Sequence, residues 1–234
     1  MLHVLRQRPR EAPGQRSREA LRQFWVYGWP MAIWLTTSAL LLYVDRLIIG
    51  ALLGSAEAGA YAAVSDVIVR GFSMVAFPLT MASHPEIMRQ WNAGSRAKAF
   101  YLIRVYRNYL LGLCAIVALA SVLFGTELLE LVLGIEIENP ALVPALVLGA
   151  ALWQVGLMTH KPLEMANQTR LMVVIIVGIT VATSSANFFL IPVLGVGAAA
   201  YAFCLGALAY VVISSTFAQK IQKSMLPVEY EMHL

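Results

Sequence analysis

The chain has 234 residues, of which 59% are apolar and 13% charged, and its mean hydropathy is +0.71. These values lie well outside the range of soluble domains, so they exclude a soluble globular protein and indicate a polytopic membrane protein. Six spans of about 20 apolar residues fit the length, which predicts an all-α fold of six transmembrane helices.

The predicted elements follow one another with short links. A polar tail covers residues 1–22, a six-helix lobe covers 23–219, and a second polar tail covers 220–234. We place the spans at about 25–50, 58–83, 103–124, 140–159, 171–191 and 197–218. Trp25, Tyr27, Trp29 and Trp34 at the start of the first span suit a membrane boundary.

Proline and glycine set two of the predicted boundaries. Pro140 and Pro144 stand where the fourth span starts, because a helix start tolerates missing N–H groups. Pro192, Gly195 and Gly197 predict a turn between the fifth and sixth spans.

Lysine and arginine are segregated to one side of the predicted membrane. The cations are Arg6, Arg8, Arg10, Arg16, Arg18, Arg22, Arg89, Arg96, Lys98, Arg104, Arg107, Lys161, Arg170, Lys220 and Lys223. The opposite loops hold Glu57, Glu127, Glu130, Glu136 and Glu138 instead. Because short cationic loops stay in the cytoplasm, we expect both termini there and an even number of spans.

Several other functions are disfavoured by the residues. The arginine-rich tail contains Glu11 and Glu19 and lacks basic residues interleaved with aromatic ones, so we expect neither nucleic-acid binding nor a transit peptide. Cys114 and Cys204 fall inside spans, where free thiols act as small apolar groups. His3, His84, His160 and His233 show no ligand spacing, so we expect no metal site and no cofactor.

Four charged residues fall at membrane depth, namely Asp45 and Arg46 in the first span and Asp66 and Arg70 in the second. Each costs roughly 2.5 to 3.5 kcal/mol at a helix centre, so we expect them to face protein or water. Asp66 and Arg70 are four residues apart and share one helix face, whereas Asp45 and Arg46 point about 100° apart and need partners on another helix. Their matched depth predicts exchange of charges between the two helices.

Further polar residues recur inside other spans. Thr180, Thr183, Ser184 and Asn187 share one face of the fifth span, and Gln154 lies in the fourth. Such a stripe either lines a hydrated cavity, which we favour, or serves helix packing.

Two stretches carry a resemblance to a known family. YGWPMAIWLTTSALLLYVDRLIIGALLGSAEAGAYAAVSD followed by FPLTMASHPEI resembles the seventh and eighth spans of polysaccharide flippases in the multidrug, oligosaccharidyl-lipid and polysaccharide exporter superfamily. The matching residues are Gly28, Pro30, Asp45, Arg46, Gly59, Tyr61 and Pro85. ANFFLIPVLGVGAAAYA is similar to the pattern between the last two core spans, through Asn187, Pro192 and Gly195, with Gly197 one residue early.

The resemblance implies one six-helix lobe of a two-lobe exporter in the bacterial inner membrane. It implies that the lobe flips a polyprenyl-linked oligosaccharide, with a second copy or a separately encoded first lobe as partner. It places Asp45 and Arg46 in the cavity between the lobes, with arginine holding the pyrophosphate. Together with the other charged and polar residues inside the spans, the predicted cavity residues are Asp45, Arg46, Asp66, Arg70, Gln154 and Asn187.

Two other functions stay open. An organic-cation antiporter lobe would use Asp45 or Asp66 as the binding acid, and a non-transporting scaffold or remnant would use the charges only to fix helix register. We do not expect an enzyme, because no span or loop gathers a nucleophile, a base and oxyanion donors.

Overall fold

The computed structural model describes residues 13–134, 137 and 139–226, and its side chains from residue 22 onward except 23 and 24. Some sequence features therefore lie outside the described residues: Arg6, Arg8, Arg10, His3, His233, Glu136, Glu138 and residues 227–234. The described part is all-α and contains no strand, which confirms the predicted fold class.

Seven helices follow one another in the described chain. They are α1 (Pro13–Leu52), α2 (Ser55–Asn92), α3 (Arg96–Leu133), α4 (Leu142–Thr159), α5 (Lys161–Met165), α6 (Thr169–Leu194) and α7 (Gly197–Met225). The short α5 continues α4 after a break at His160, so the described helices supply six segments long and apolar enough to cross a membrane. The six-span prediction is confirmed by length and composition.

Several helices extend beyond the predicted spans. Residues 13–22, which we assigned to the tail, are helical and continuous with α1. The 38 residues of α2 and of α3 make rods of about 57 Å, nearly twice the hydrocarbon thickness of about 30 Å. The parts of α2 and α3 that extend beyond this thickness carry Arg89, Arg96 and other cations. We call the end of the bundle that holds Arg89, Arg96 and Lys161 the basic end. The end that holds Glu57 is the acidic end.

The turn between the last two spans is shorter than expected. Pro192 lies inside α6 and Gly197 is already the first residue of α7, so only Gly195 and Val196 link the two helices. Gly195 has φ +69° and its N–H donates to the carbonyl of Ile191, which closes the helix one turn after the proline. Pro192 is tolerated because it removes a single hydrogen bond near the helix end.

The fourth span is the centre of the bundle. Helix α4 packs against α2, α3 and α7, while α1 packs against α2 and α6, and α6 against α7. A Cβ on Gly149 would lie 2.7 Å from the Phe203 ring, and one on Gly156 would lie 2.9 Å from the Tyr210 ring. Glycine is therefore required where α4 meets α7.

A buried hydrogen-bond network ties three helices together. The Trp34 indole on α1 donates to the Tyr210 hydroxyl on α7 at 3.1 Å, and that oxygen lies 3.0 Å from Nδ1 of His160. His160 is buried at the break after α4 and its ring contacts Trp34 edge-on at 4.9 Å. This histidine is a core residue that fixes α4 between α1 and α7.

Candidate functional site

The four membrane charges meet between α1 and α2. Asp45 stands seven residues before the end of α1 and Asp66 eleven residues after the start of α2. At 1.5 Å per residue these positions lie about 10 and 16 Å from the acidic end, so a tight hairpin brings them to similar depth. The hairpin is tight because only Leu53 and Gly54 separate the helices, with Gly54 at φ +104°.

Asp66 is the centre of this charged cluster. Its Oδ1 accepts a hydrogen bond from Nη2 of Arg46 at 2.5 Å, and its Oδ2 accepts one from Nη2 of Arg70 at 3.1 Å. Arg46 also donates to the hydroxyl of Ser65 at 3.0 Å. The charge exchange between the first two spans, predicted from depth alone, is thus present, as is the Asp66–Arg70 pair on one face.

Asp45 has a different environment from the one expected. Its Oδ2 accepts from the Tyr61 hydroxyl at 2.6 Å and its Oδ1 from the backbone N–H of Arg46 at 2.8 Å. Among the described residues it forms no ion pair, so the partner that Asp45 finds on another helix is the Tyr61 hydroxyl, and only Arg46 takes part in the predicted exchange of charges. The Tyr61 hydroxyl and the backbone N–H of Arg46 satisfy the Asp45 carboxylate. The Asp66 carboxylate forms the ion pairs with both guanidinium groups.

Three residues of the cluster were not predicted as site residues: Tyr43, Ser65 and Tyr61, of which only Tyr61 was named, as a residue that matches the resemblance. The guanidinium of Arg46 lies over the Tyr43 ring, 4.7 Å from its centroid. Tyr61 and Ser65 are four residues apart on α2, on the side that meets α1. That spacing is the signal that could have identified them, because a hydroxyl stripe facing two unpaired charges offers the donors and acceptors they need.

The cluster changes from buried to open along one direction. Asp45 is buried, the side chains of Arg46 and Asp66 are 17% and 29% exposed, and that of Arg70 is 69% exposed. Arg70 stands fifteen residues into α2, about 22 Å from its start, which is inside a hydrocarbon layer of about 30 Å. An arginine facing lipid there is costly, so this face of the lobe requires water or another protein surface.

The two remaining predicted site residues lie apart from the cluster. Gln154 on α4 is buried and donates to the Ser73 hydroxyl on α2 at 2.9 Å. Asn187 on α6 is 1% exposed, and its amide oxygen and nitrogen have no hydrogen-bond partner among the described residues. Thr180 and Thr183 are buried on the same face, which matches the packing alternative for this stripe.

A cavity opens beside the cluster at the acidic end. It has a volume of about 600 Å³ and is lined by residues of α2, α4, α6 and the links between helices, including Glu57, Tyr61 and Asn139. Because Tyr61 also holds Asp45, this cavity reaches the buried end of the charged cluster. No group of three or more His, Cys, Asp or Glu side chains suited to a metal ion occurs in the described part of the chain.

No known protein-family profile matches the chain, and neither a curated protein nor a solved structure matches it.

Proposed function

We propose that this chain is one lobe of a transporter that flips a polyprenyl-linked oligosaccharide across the bacterial inner membrane. The observation that carries the proposal is the open side of the charged cluster, where the side chain of Arg70 is 69% exposed at a depth inside the hydrocarbon layer. The resemblance of the stretches around Asp45 and Asn187 to polysaccharide flippases supports the same function. Both termini are cytoplasmic in this proposal, because the cations gather at the basic end.

The arginine geometry suits a lipid pyrophosphate. Asp66 accepts from one nitrogen of Arg70 in the described hydrogen bonds, and the side chain is 69% exposed, so the guanidinium keeps further donors for a ligand. Arginine stays charged and binds phosphate with two parallel hydrogen bonds, which a compact ammonium does not do. Arg46 and Arg70 then hold the pyrophosphate while Asp66 fixes their orientation.

A second lobe completes the cavity in this proposal. The face that exposes Arg70 meets either a second copy of the chain or a separately encoded first lobe, in the same orientation across an axis along the membrane normal. Gln154 and Asn187 remain candidate cavity residues only if the lobe opens during transport, because both are buried here.

One observation favours an antiporter as a second candidate. The charges of Asp45, Asp66, Arg46 and Arg70 cancel, so the cluster has no net attraction for an anion. Asp45 is buried and held by the Tyr61 hydroxyl, next to the cavity at the acidic end. In an organic-cation antiporter this carboxylate is the binding group, and in a scaffold neither the acids nor the arginines bind a ligand.

The decisive experiment compares Arg70→Lys with Arg89→Lys in proteoliposomes that contain the complete two-lobe assembly. Arg89 is a matched control, because it lies on the same helix, is 72% exposed and pairs with Glu86 three residues away. A flippase loses translocation of a fluorescent lipid-linked glycan in Arg46→Lys and Arg70→Lys and keeps it in Arg89→Lys. Parental translocation in both cavity variants contradicts the phosphate role.

The acid variants separate the other two functions. An antiporter loses organic-cation transport in Asp45→Asn or Asp66→Asn and tolerates both arginine-to-lysine changes. A scaffold shows no transport loss in any variant, and its substitutions alter only thermal stability.

A further inference from the structure

The cavity at the acidic end has a mainly apolar floor and a polar mouth. Its volume of about 600 Å³ is within the range of small-molecule binding sites. Tyr61, Val64 and Leu142 line it and are buried, so they form its floor. Glu57 and Asn139 line it and are exposed, so they lie at its mouth. A ligand that enters from the acidic end therefore meets the polar groups first and the apolar floor next.

One face of α2 forms a wall of this cavity. The lining residues Glu57, Ala60, Tyr61 and Val64 stand at positions i, i+3, i+4 and i+7, which is the spacing of residues that share a helix face. Glu57 is in the first turn of α2, and Val64 lies about 10 Å further along the helix axis. The carboxylate at the mouth and the apolar floor thus belong to one continuous surface, along which a ligand can extend.

The mouth of the cavity holds an unpaired negative charge. Among the described residues that line the cavity, Glu57 is the one that carries a charge. Its carboxylate forms no hydrogen bond or ion pair with another described residue. The Tyr61 hydroxyl on the floor already donates to Asp45, so it does not satisfy Glu57. The described lining therefore offers one free carboxylate and no cation to balance it.

This lining does not suit a metal ion. Ca²⁺ and Mg²⁺ take about six or more oxygen ligands, whereas the described lining supplies the free carboxylate of Glu57 and the carboxamide of Asn139. An apolar floor cannot replace the hydration shell of such an ion. An organic ammonium ion needs a single counter-charge and can place its apolar substituents against the floor, where they leave water.

We infer that the cavity at the acidic end binds an organic ammonium ion that carries an apolar group. The ammonium pairs with Glu57 at the mouth, and the apolar group lies against Val64 and Leu142 on the floor. Burial of the apolar group supplies most of the affinity, because an ion pair open to water contributes little. The inference depends on neither candidate transport function, since both of those use the residues of the charged cluster and not Glu57.

Isothermal titration calorimetry of the purified full chain in a neutral detergent tests this site. We expect benzyltrimethylammonium to bind saturably. Tetramethylammonium, which lacks the apolar group, and benzyl alcohol, which lacks the charge, should bind several-fold more weakly. Calcium should not compete with benzyltrimethylammonium. Competition by calcium at equal concentration, or equal affinity for the charged and the uncharged ligand, would overturn the assignment.

Substitutions separate the charge of Glu57 from the charge of the acidic end as a whole. Glu57→Gln should lower the affinity for benzyltrimethylammonium about fivefold, and Glu57→Asp, which keeps a carboxylate, should lose less. Glu127→Gln is the matched control, because Glu127 is exposed toward the acidic end of α3 and does not line the cavity. This control should bind like the parent, and an equal loss in both glutamine variants contradicts the inference.

A change of volume tests the cavity without a change of charge. Ala60 lines the cavity one turn from Glu57 and is exposed, so a larger side chain there can be accommodated at the mouth. Ala60→Trp should abolish binding, whereas Ala56→Trp, at an exposed position on the same helix that does not line the cavity, should preserve it. Should Ala60→Trp fail to fold, Ala60→Leu takes its place. Parental affinity in a folded Ala60 variant places the ligand elsewhere and refutes this site.

Discussion

Asp66 is the carboxylate on which both membrane arginines depend, and its removal should affect them unequally. Arg46 reaches it at 2.5 Å from a side chain that is 17% exposed, whereas Arg70 reaches it at 3.1 Å from one that is 69% exposed. Removing one partner of a fully buried ion pair costs about 3 to 5 kcal/mol, because the other charge stays without a counter-ion, and the lower value applies to Arg46 and Asp66 because both are partly exposed. An exposed pair four residues apart on a helix contributes about 0.4 kcal/mol.

These magnitudes predict that Asp66→Ala destabilises the lobe by about 3 kcal/mol, almost all of it through Arg46. The coupling energy between Asp66 and Arg46 should be about 2 kcal/mol, since the double variant leaves neither partner of the pair without its counter-ion, and that between Asp66 and Arg70 about 0.4 kcal/mol. Asp45→Asn should cost about 1 kcal/mol, because the amide oxygen still accepts from Tyr61 or from the backbone.

The measurement is a pair of double-mutant cycles on the free energy of unfolding, with Arg46→Ala and Arg70→Ala each combined with Asp66→Ala. Unfolding in mixed micelles by increasing dodecyl sulfate, followed by circular dichroism at helix wavelengths, gives each value. A coupling of Asp66 to Arg70 as large as its coupling to Arg46 would refute the assignment of burial as the cause. Absence of coupling in both cycles would refute the cluster itself.

Four further predictions follow from the packing and the topology. Gly149→Ala should destabilise by about 2 kcal/mol, because its Cβ would overlap the Phe203 ring, while Gly112→Ala, which has open space, should be neutral or mildly stabilising in the same unfolding assay. Tyr210→Phe should cost about 2 kcal/mol in that assay, since it leaves the Trp34 N–H and a His160 nitrogen buried without the hydroxyl; full parental stability would contradict the network. Asn187→Leu should preserve or raise stability, because the unpaired buried amide is replaced by an apolar side chain of similar size, and a loss of folded protein would show that the amide has a partner. In a chain lacking Cys114 and Cys204, a cysteine at Glu57 should react with an impermeant thiol reagent in intact cells and one at Arg96 should not; labelling at Arg96 would contradict the six-span orientation.

The sequence alone determined the all-α polytopic fold class and the number of membrane spans. Hydropathy is a sum over many residues, so about 20 consecutive apolar residues identify a span whatever its neighbours are. The pairing of Asp66 with Arg70 was also predictable, because helical spacing fixes it without reference to other helices. The contact between Arg46 and Asp66 followed from depth, since the short link keeps both residues near the acidic end and a long arginine side chain spans the remaining difference in depth.

The tertiary structure decided which polar residues are buried and which are open. Composition could not show that the Tyr61 hydroxyl donates to Asp45 while both arginines donate to Asp66. These partners depend on how α2 is rotated about its axis relative to α1. Nor could it show that Asn187 is buried inside the lobe while Arg70 is exposed, since both lie on helical stripes that pattern analysis treats alike. Whether a polar stripe faces another helix or the outside depends on where the neighbouring helices lie. The packing of α4 against α2, α3 and α7 determines this for the described helices.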